Sequence, residues 1–318
     1  MSGIDQRPAY GNPIKRAAGW VYNCAPLLLI LTMTFWAGNG LMGKWLALDG
    51  DLPPVAAAFL RWSIALVPII PLAAPHIRRD WPMIKRHIWP LILLAVFGIT
   101  AFNTLVYWSQ YKTTAVNLFL LNATIPLLTP AVSYLLFRDR ITRVQALAVG
   151  LALVGALTII LQGDISTLLT LTVNQGDAVI LTAMAGYAIY SACLRLRPAI
   201  HPMSLLAVLF VLGNAFLLPF YLWEHVYVAQ VVFTPKTLIA LAYIGIFPSF
   251  LAYLCFNRGV ELMGANRASA YFHLMPVLGT ISAVILFGEA FALFHIIGTA
   301  LIVAGLILGT RRQKAASD

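Results

Sequence analysis

Apolar positions in this chain run on without alternation. Trp89–Tyr111, Thr113–Phe137, Val144–Gly163, Pro202–Trp223, Thr237–Asn257, Ala268–Gly288 and Ala290–Thr310 contain no Lys, Arg, Asp or Glu. Crossing a bilayer as a helix takes about 20 apolar residues, which these runs supply. A spanning barrel would show alternating polarity, so helix is the element they predict. With the apolar stretches between them they predict ten spans. These lie at about 25–48, 55–73, 89–110, 115–137, 143–161, 177–196, 203–223, 237–256, 265–287 and 291–310. The fold class is then an all-α polytopic membrane protein. The loops that remain are too short for a separate domain, which needs about 50 residues. That excludes soluble catalytic, nucleotide-binding and DNA-binding modules.

Composition agrees with the pattern. Hydrophobic residues make up 61% and charged residues 10% of the 318, against about 45–50% and about 25% in soluble domains. The net charge of +10 would suit nucleic acid, but its placement suits membrane topology. With the N-terminus inside, Arg7, Lys15, Arg16, Arg78, Arg79, Lys85, Arg86, Arg138, Arg140, Arg143, Arg195, Arg197, Arg258, Arg267, Arg311, Arg312 and Lys314 fall in cytoplasmic segments. The outer loops keep only Lys112 and Lys236. Basic residues stay on the cytoplasmic side during insertion. Both tails, 1–24 and 311–318, are therefore expected in the cytoplasm of a multi-pass protein of the cell (inner) membrane, with no nucleic acid as partner. The first apolar run is too long for a signal-peptide core. Cys24, Cys193 and Cys255 lack metal-ligand spacing and read as apolar thiols. No metal and no cofactor is expected.

The chain also repeats itself. Shifted by 150 residues, Ala115 falls on Ala265, Pro126 on Pro276, Phe137 on Phe287, Asp139 on Glu289 and Gly155 on Gly305. Shifted by 151, Trp36 falls on Tyr187, Asn39 on Tyr190 and Pro68 on Pro219. This predicts two five-helix repeats, 25–161 and 177–310, joined by an outer linker at 162–176. Five is odd, so the second repeat enters the membrane upside down. The loops agree: Arg138-Asp139-Arg140 is basic and inside, and its counterpart Gly288-Glu289 is outside. Inverted repeats are a transporter signature, because two like halves of opposite topology can exchange conformations around a central site.

Several features then act together: Trp36-Ala37-Gly38-Asn39 in the first span, Arg61 in the second, Pro126 and Pro276 in mid-helix, and Gly288-Glu289 before a Gly-rich last helix. With them the chain resembles the drug/metabolite transporter superfamily, in its ten-helix EamA type with two EamA domains, over residues 27–310. Within that type it is similar to amino acid exporters of the YddG kind. The resemblance implies export. It also implies that spans one, three, four, six, eight and nine surround a central cavity, with five and ten peripheral.

Residues at i, i+3 or i+4, and i+7 share a helix face. This spacing yields six polar or aromatic stripes: Thr32, Trp36, Asn39 and Gly43; Asn103, Tyr107 and Gln110; Asn122, Pro126, Thr129 and Ser133; Ala183, Tyr187 and Tyr190; Ser249, Tyr253 and Phe256; Ser269, His273, Pro276, Thr280 and Ala283. Each is either helix contact surface or lining turned away from lipid. Six together, on the helices the resemblance names, favour a lined site. The candidate substrate-binding residues are Trp36, Asn39, Asn103, Tyr107, Asn122, Tyr187, Tyr190, Tyr253, Tyr271 and His273. Pro126 and Pro276 are candidate hinges. Each lacks an N–H and so frees a carbonyl, of Asn122 or of Phe272, either as a plain kink or as an acceptor for a substrate ammonium. His273 binds a carboxylate or senses protons, or is a neutral donor that fixes its neighbours. Arg61 reads as structural, paired with carbonyls or an outer acid, with a carboxylate ligand as the alternative. Lys44 reads as snorkelling outward, His295 as structural, and the Gly305/Gly309 pair as an internal helix contact.

All 11 acidic residues map to loops, tails or span ends. Proton relays and cation pumps usually need one at mid-membrane. Spans eight and nine hold no interior Lys or Arg, which argues against phosphorylated solutes. A neutral or zwitterionic solute fits best. Neutral and aromatic amino acids come first, and other small neutral metabolites or drugs second. An intramembrane enzyme is remote, since Ser269 and His273 come without a nucleophile turn. A receptor or scaffold is the third class. The expectation is a monomer-capable, alternating-access carrier, facilitated or weakly coupled and not an enzyme, with amino acids and the lipid bilayer as partners.

Overall fold

The computed structural model of the chain describes residues 21–138, 142–164, 174–263, 268 and 270–315, and every regular element among them is helical. Residues 1–20 of the expected tail, Asp139 and Arg140 of the repeat, most of the linker, Arg267 and Ser269 lie outside the described residues. Helix α1 runs Ala25–Asp49, α2 Pro54–Arg86 and α3 Ile88–Gln110. Helix α4 has two halves, Ala115–Asn122 and Ile125–Phe137, and α5 is Arg143–Ile160. Then come α6 (Gln175–Cys193), α7 (Pro202–Tyr227), α8 (Pro235–Met263), α9 (Leu274–Phe287) and α10 (Leu293–Ala315). Six of these, α1, α2, α3, α6, α7 and α8, are long and apolar enough to cross a membrane, and α4 is a seventh if its halves count as one span. Shorter apolar helices are Ala146–Ile160, Leu274–Phe287 and Leu293–Gly305. Large apolar side chains face outward, among them Val67, Trp89 and Ile285 at 73%, 76% and 74% exposed. Water would make such a surface a liability; lipid is its natural solvent.

Several elements depart from the expected boundaries: α8 runs on to Met263 and α10 to Ala315, past the expected ends at 256 and 310, and three departures are larger or change the element. Helix α2 continues to Arg86, across residues expected to form a loop. It contains Pro68, Pro71, Pro75 and Pro82, each of which removes one backbone donor without ending the helix. At 33 residues it is about 50 Å long, more than the roughly 30 Å of hydrocarbon. Its basic last turns therefore stand clear of the bilayer core and stay helical. There the His76 ring stacks on His201 at 3.7 Å, and the Asp80 carboxylate accepts the His201 N–H at 2.9 Å. Helix α4 is broken rather than kinked, by 55°. Pro126 has no N–H to offer the Asn122 carbonyl. Ala123 and Thr124 donate instead to Leu120 and Leu121, three residues back. In the span expected at 265–287, α9 starts only at Leu274, after a 3₁₀ turn at Ala270–His273.

The inverted symmetry is visible in the packing. A Cβ placed on Gly155 of α5 would lie 2.5 Å from the carbonyl oxygen of Gly298 in α10. A Cβ on Gly305 would lie 2.6 Å from the carbonyl of Ala148. The 150-residue shift carries Gly155 to Gly305 and Ala148 to Gly298, so these are one contact seen twice. Moving up α5 means moving down α10, so the equivalent last helices of the two repeats run antiparallel. Gly305 is thus an internal contact, as expected. The two repeats also loosen at the same place. Helix α3 has a π turn at Val96–Ala101 and α8 one at Phe247–Leu251. Phe97 packs against Gly186, and its equivalent Phe247 against Phe35.

This close approach generates a test. Gly155→Val should lower thermal stability in detergent by an overpacking cost of about 1–3 kcal/mol. Gly150→Val, on the same helix but with open space around it, should change stability little. Equal melting temperatures for the two variants would contradict the contact.

Candidate functional site

Helices from both repeats converge on a cavity of about 140 Å³, roughly ten times what one water needs. Helix α1 contributes Trp36, Asn39 and Gly40, α2 contributes Arg61, and α3 contributes Gly98, Phe102, Asn103 and Val106. Leu118, Phe119, Asn122, Ala123 and Ile125 come from the break in α4, Tyr187 from α6 and Tyr253 from α8. Phe272, Met275 and Pro276 close the wall at the start of α9.

One side is aromatic. Trp36 stacks on Phe272 with centroids 5.5 Å apart and meets Tyr253 edge-on at 5.8 Å. Across the cavity Tyr187, the repeat equivalent of Trp36, packs on Phe102 at 4.6 Å. Such pairs hold their geometry beyond simple burial. The indole N–H of Trp36 donates to the Pro248 carbonyl at 3.0 Å, which fixes the ring.

The polar side is built on the two π turns. Asn103 donates from Nδ2 to the carbonyls of Ile99 (2.9 Å) and Gly98 (3.3 Å) in the α3 turn. In the α8 turn, Pro248 cannot donate to Ile244, and the Ser249 hydroxyl bonds that carbonyl at 2.6 Å. Arg61 joins the two turns. Its Nε donates to Ser249 Oγ and its Nη1 to Asn103 Oδ1 at 2.7 Å. Its guanidinium also lies over the Trp62 ring at 4.4 Å. Arg61 is only 4% exposed and lines the cavity. Among the described residues no carboxylate forms an ion pair with it.

The acids nearest the membrane are taken up elsewhere. Glu224 accepts the N–H groups of Val55 and Ala56 (3.1 and 2.7 Å) at the start of α2, and Glu289 those of Ala115 and Val116 (2.9 and 2.8 Å) at the start of α4. Both oppose the positive end of a helix dipole. Asp177 accepts from Thr113 and Asn117, and the His295 ring meets Asn117 Oδ1 at 3.0 Å, so His295 is structural. Lys44 departs from expectation. Rather than reaching water, its Nζ donates to the carbonyls of Thr113 (2.7 Å) in the loop after α3 and of Gln110 (3.3 Å) at its end, which lack helical partners.

Of the residues predicted from sequence, Trp36, Asn39, Asn103, Asn122, Tyr187, Tyr253 and Pro276 line the cavity. Tyr107 lies one layer behind, 2% exposed, donating to Asn39 Oδ1 at 2.7 Å. Tyr190 backs Tyr187 at 5.1 Å and fills the space beside Gly98. Tyr271, in the 3₁₀ turn, is not part of the wall. The side chains of His273 and Pro126 lie outside the described residues. Phe102, Phe272 and Met275 were not among the expected residues. Phe272 is legible in hindsight, four residues before Pro276 and on its face. Arg61 pairs with neutral side chains, not with carbonyls or an outer acid. Its signal is depth: two turns inside a span, with no acid at the same level.

The sequence profile of the EamA-like transporter family matches residues 24–161 and again 174–311, the 150-residue offset of the internal repeat. The chain is 28% identical over 261 residues to the uncharacterized transporter YyaM of Bacillus subtilis, covering 81% of this chain and 85% of that protein. It is 26% identical over 310 residues to the uncharacterized transporter YetK of the same organism, covering 97% and 92%. A probable terminal-alkyne amino-acid exporter of Streptantibioticus cattleyicolor is 24% identical over 292 residues, covering 89% and 92%. One solved crystal structure shares the fold, with a TM-score of 0.54 at 17% identity, covering 90% of this chain and 97% of that one.

Replacing Asn103 tests how the site is assembled. Asn103→Leu removes the acceptor for Arg61 and the donor for two α3 carbonyls. Stability in detergent should fall by about 2–4 kcal/mol, since buried charged groups lose most when one partner goes. An unchanged melting temperature would contradict the network.

Proposed function

The chain belongs to the EamA-like transporter family, and on that premise we propose that it is a ten-span carrier, with both termini cytoplasmic, that exports neutral and aromatic amino acids by alternating access. The observation that carries this reading is the cavity itself, whose walls come from both repeats and combine aromatic faces with amide and hydroxyl groups. Its volume suits a solute of about ten heavy atoms, by the water-sized room it offers. Its apolar wall suits an uncharged side chain. The broken α4 and the 3₁₀ entry to α9 place breaks before Pro126 and Pro276 in both halves, which supports hinge roles for the two prolines. Antiparallel α5 and α10 support halves that exchange roles across the membrane. The relative named as a probable amino-acid exporter supports the substrate class. The carrier is facilitated or weakly coupled, since no acid is available as a proton relay among the described cavity residues.

The test is flux. Liposomes holding the purified protein should take up labelled phenylalanine and leucine saturably and to the same extent with or without a pH gradient. Trp36→Ala should weaken uptake about tenfold, through lost ring packing and apolar contact. Absence of amino acid flux, or flux only with a gradient, would count against this reading. Flux of small uncharged metabolites in its place would move the substrate class.

A further inference from the structure

We propose that Arg61 is the carboxylate-binding group of the cavity, so that the solutes carried are those with a single free carboxylate. The inference rests on the carrier reading and names the chemistry of its substrate. A buried guanidinium is costly unless its charge is met. Among the described residues its partners, Ser249, Asn103, Tyr107 and the Trp62 face, are all neutral. They satisfy hydrogen bonds and leave a full positive charge at the cavity wall. The neighbouring acids are engaged at helix ends, and Lys44 is held by carbonyls of the α3 end. An anion entering the cavity therefore meets, among the described residues, one unmatched cation behind walls of low polarity, where the attraction is much stronger than in water.

The shape of the site narrows the class. Guanidinium binds carboxylate through parallel N–H donors, and Ser249 and Asn103 fix its plane before any solute arrives. One cation balances one carboxylate; a dicarboxylate or a phosphate dianion would keep an unmatched negative charge inside the span. An amine without a carboxylate would be repelled. The ammonium of a zwitterion finds the faces of Trp36, Tyr253 and Phe272 within the same cavity, a suitable cation–π surface. Because Ser249 belongs to one repeat and Asn103 to the other, a carboxylate on Arg61 would contact the seam between the halves.

Matched solute pairs test this on the full-length protein in detergent: phenylalanine against phenylalaninamide, and 3-phenylpropionate against 3-phenylpropionamide. The readout is the saturable change in tryptophan emission that Trp36→Phe abolishes. In each pair the carboxylate should bind roughly 10- to 100-fold more tightly, the worth of a charged hydrogen-bonded pair. Arg61→Lys should keep part of that preference and Arg61→Gln should erase it. If Arg61→Gln does not fold, the wild-type pairs decide alone. Equal affinity within the pairs, or no response to either member, overturns the inference. Amino acid flux with equal binding of acid and amide removes the role of Arg61 and keeps the carrier. Carboxylate-selective binding without amino acid flux keeps Arg61 and removes the amino acid reading.

Discussion

Hydrocarbon offers no hydrogen-bond donors, so every backbone carbonyl released inside the membrane must find one within the protein. Helices α3 and α8 loosen into π turns at equivalent points, and the site is arranged around the carbonyls those turns release. Asn103 caps two of them in α3. Ser249 and Trp36 cap those of Ile244 and Pro248 in α8. The capping side chains must then point inward, and the remaining polar atoms of Asn103 and Ser249 converge on Arg61. The cavity is the space these groups enclose. In the proposed site, binding chemistry and backbone satisfaction would thus be the same set of contacts, which fits the frequent occurrence of π turns at functional sites.

The same device appears in both halves because the halves are copies turned over. The antiparallel contact of α5 and α10, through Gly155 and Gly305, sets the axis of that relation. Trp36 and Tyr187 then face one cavity from equivalent positions, and the break before Pro126 and the 3₁₀ turn before Pro276 fall at equivalent places in the sequence repeat. Two halves of equal design have two equivalent ways to lean against each other. In the proposed carrier, pre-satisfied π turns would let the halves move as units without exposing backbone to lipid. Arg61 is the exception to the symmetry. Its counterpart under the 151-residue shift is Leu212, so at this pair of positions charge enters from one half only.

Much of the fold is legible in the sequence. Uncharged runs mark the helices, and Pro and Gly matches mark the repeat. The end of α2 is not legible, because prolines and basic residues read as a loop although a helix longer than the bilayer tolerates both. In the site, a constant helical phase identifies Asn39, Asn122, Tyr187 and Tyr253. Around the 3₁₀ turn before α9, Phe272 keeps the four-residue spacing to Pro276 and lines the wall with Met275, while Tyr271 is not part of the wall. Phase also says nothing about depth within a layer. Tyr107 and Tyr190 lie on the predicted faces yet sit behind Asn39 and Tyr187, because α1 and α6 approach α3 closely at Gly43 and Gly98. Arg61 could not be assigned a role without knowing that its neighbours are neutral.

The central claim is that one cavity, shared by two inverted halves, opens in turn to each side. It is tested by replacing Cys24, Cys193 and Cys255, introducing Ala123→Cys in the cavity wall, and labelling with a membrane-impermeant maleimide in right-side-out and inside-out vesicles. Reaction from both sides, with a ratio that shifts when a transported solute is present, is the predicted result. Reaction from one side only, unaffected by any solute, would contradict it.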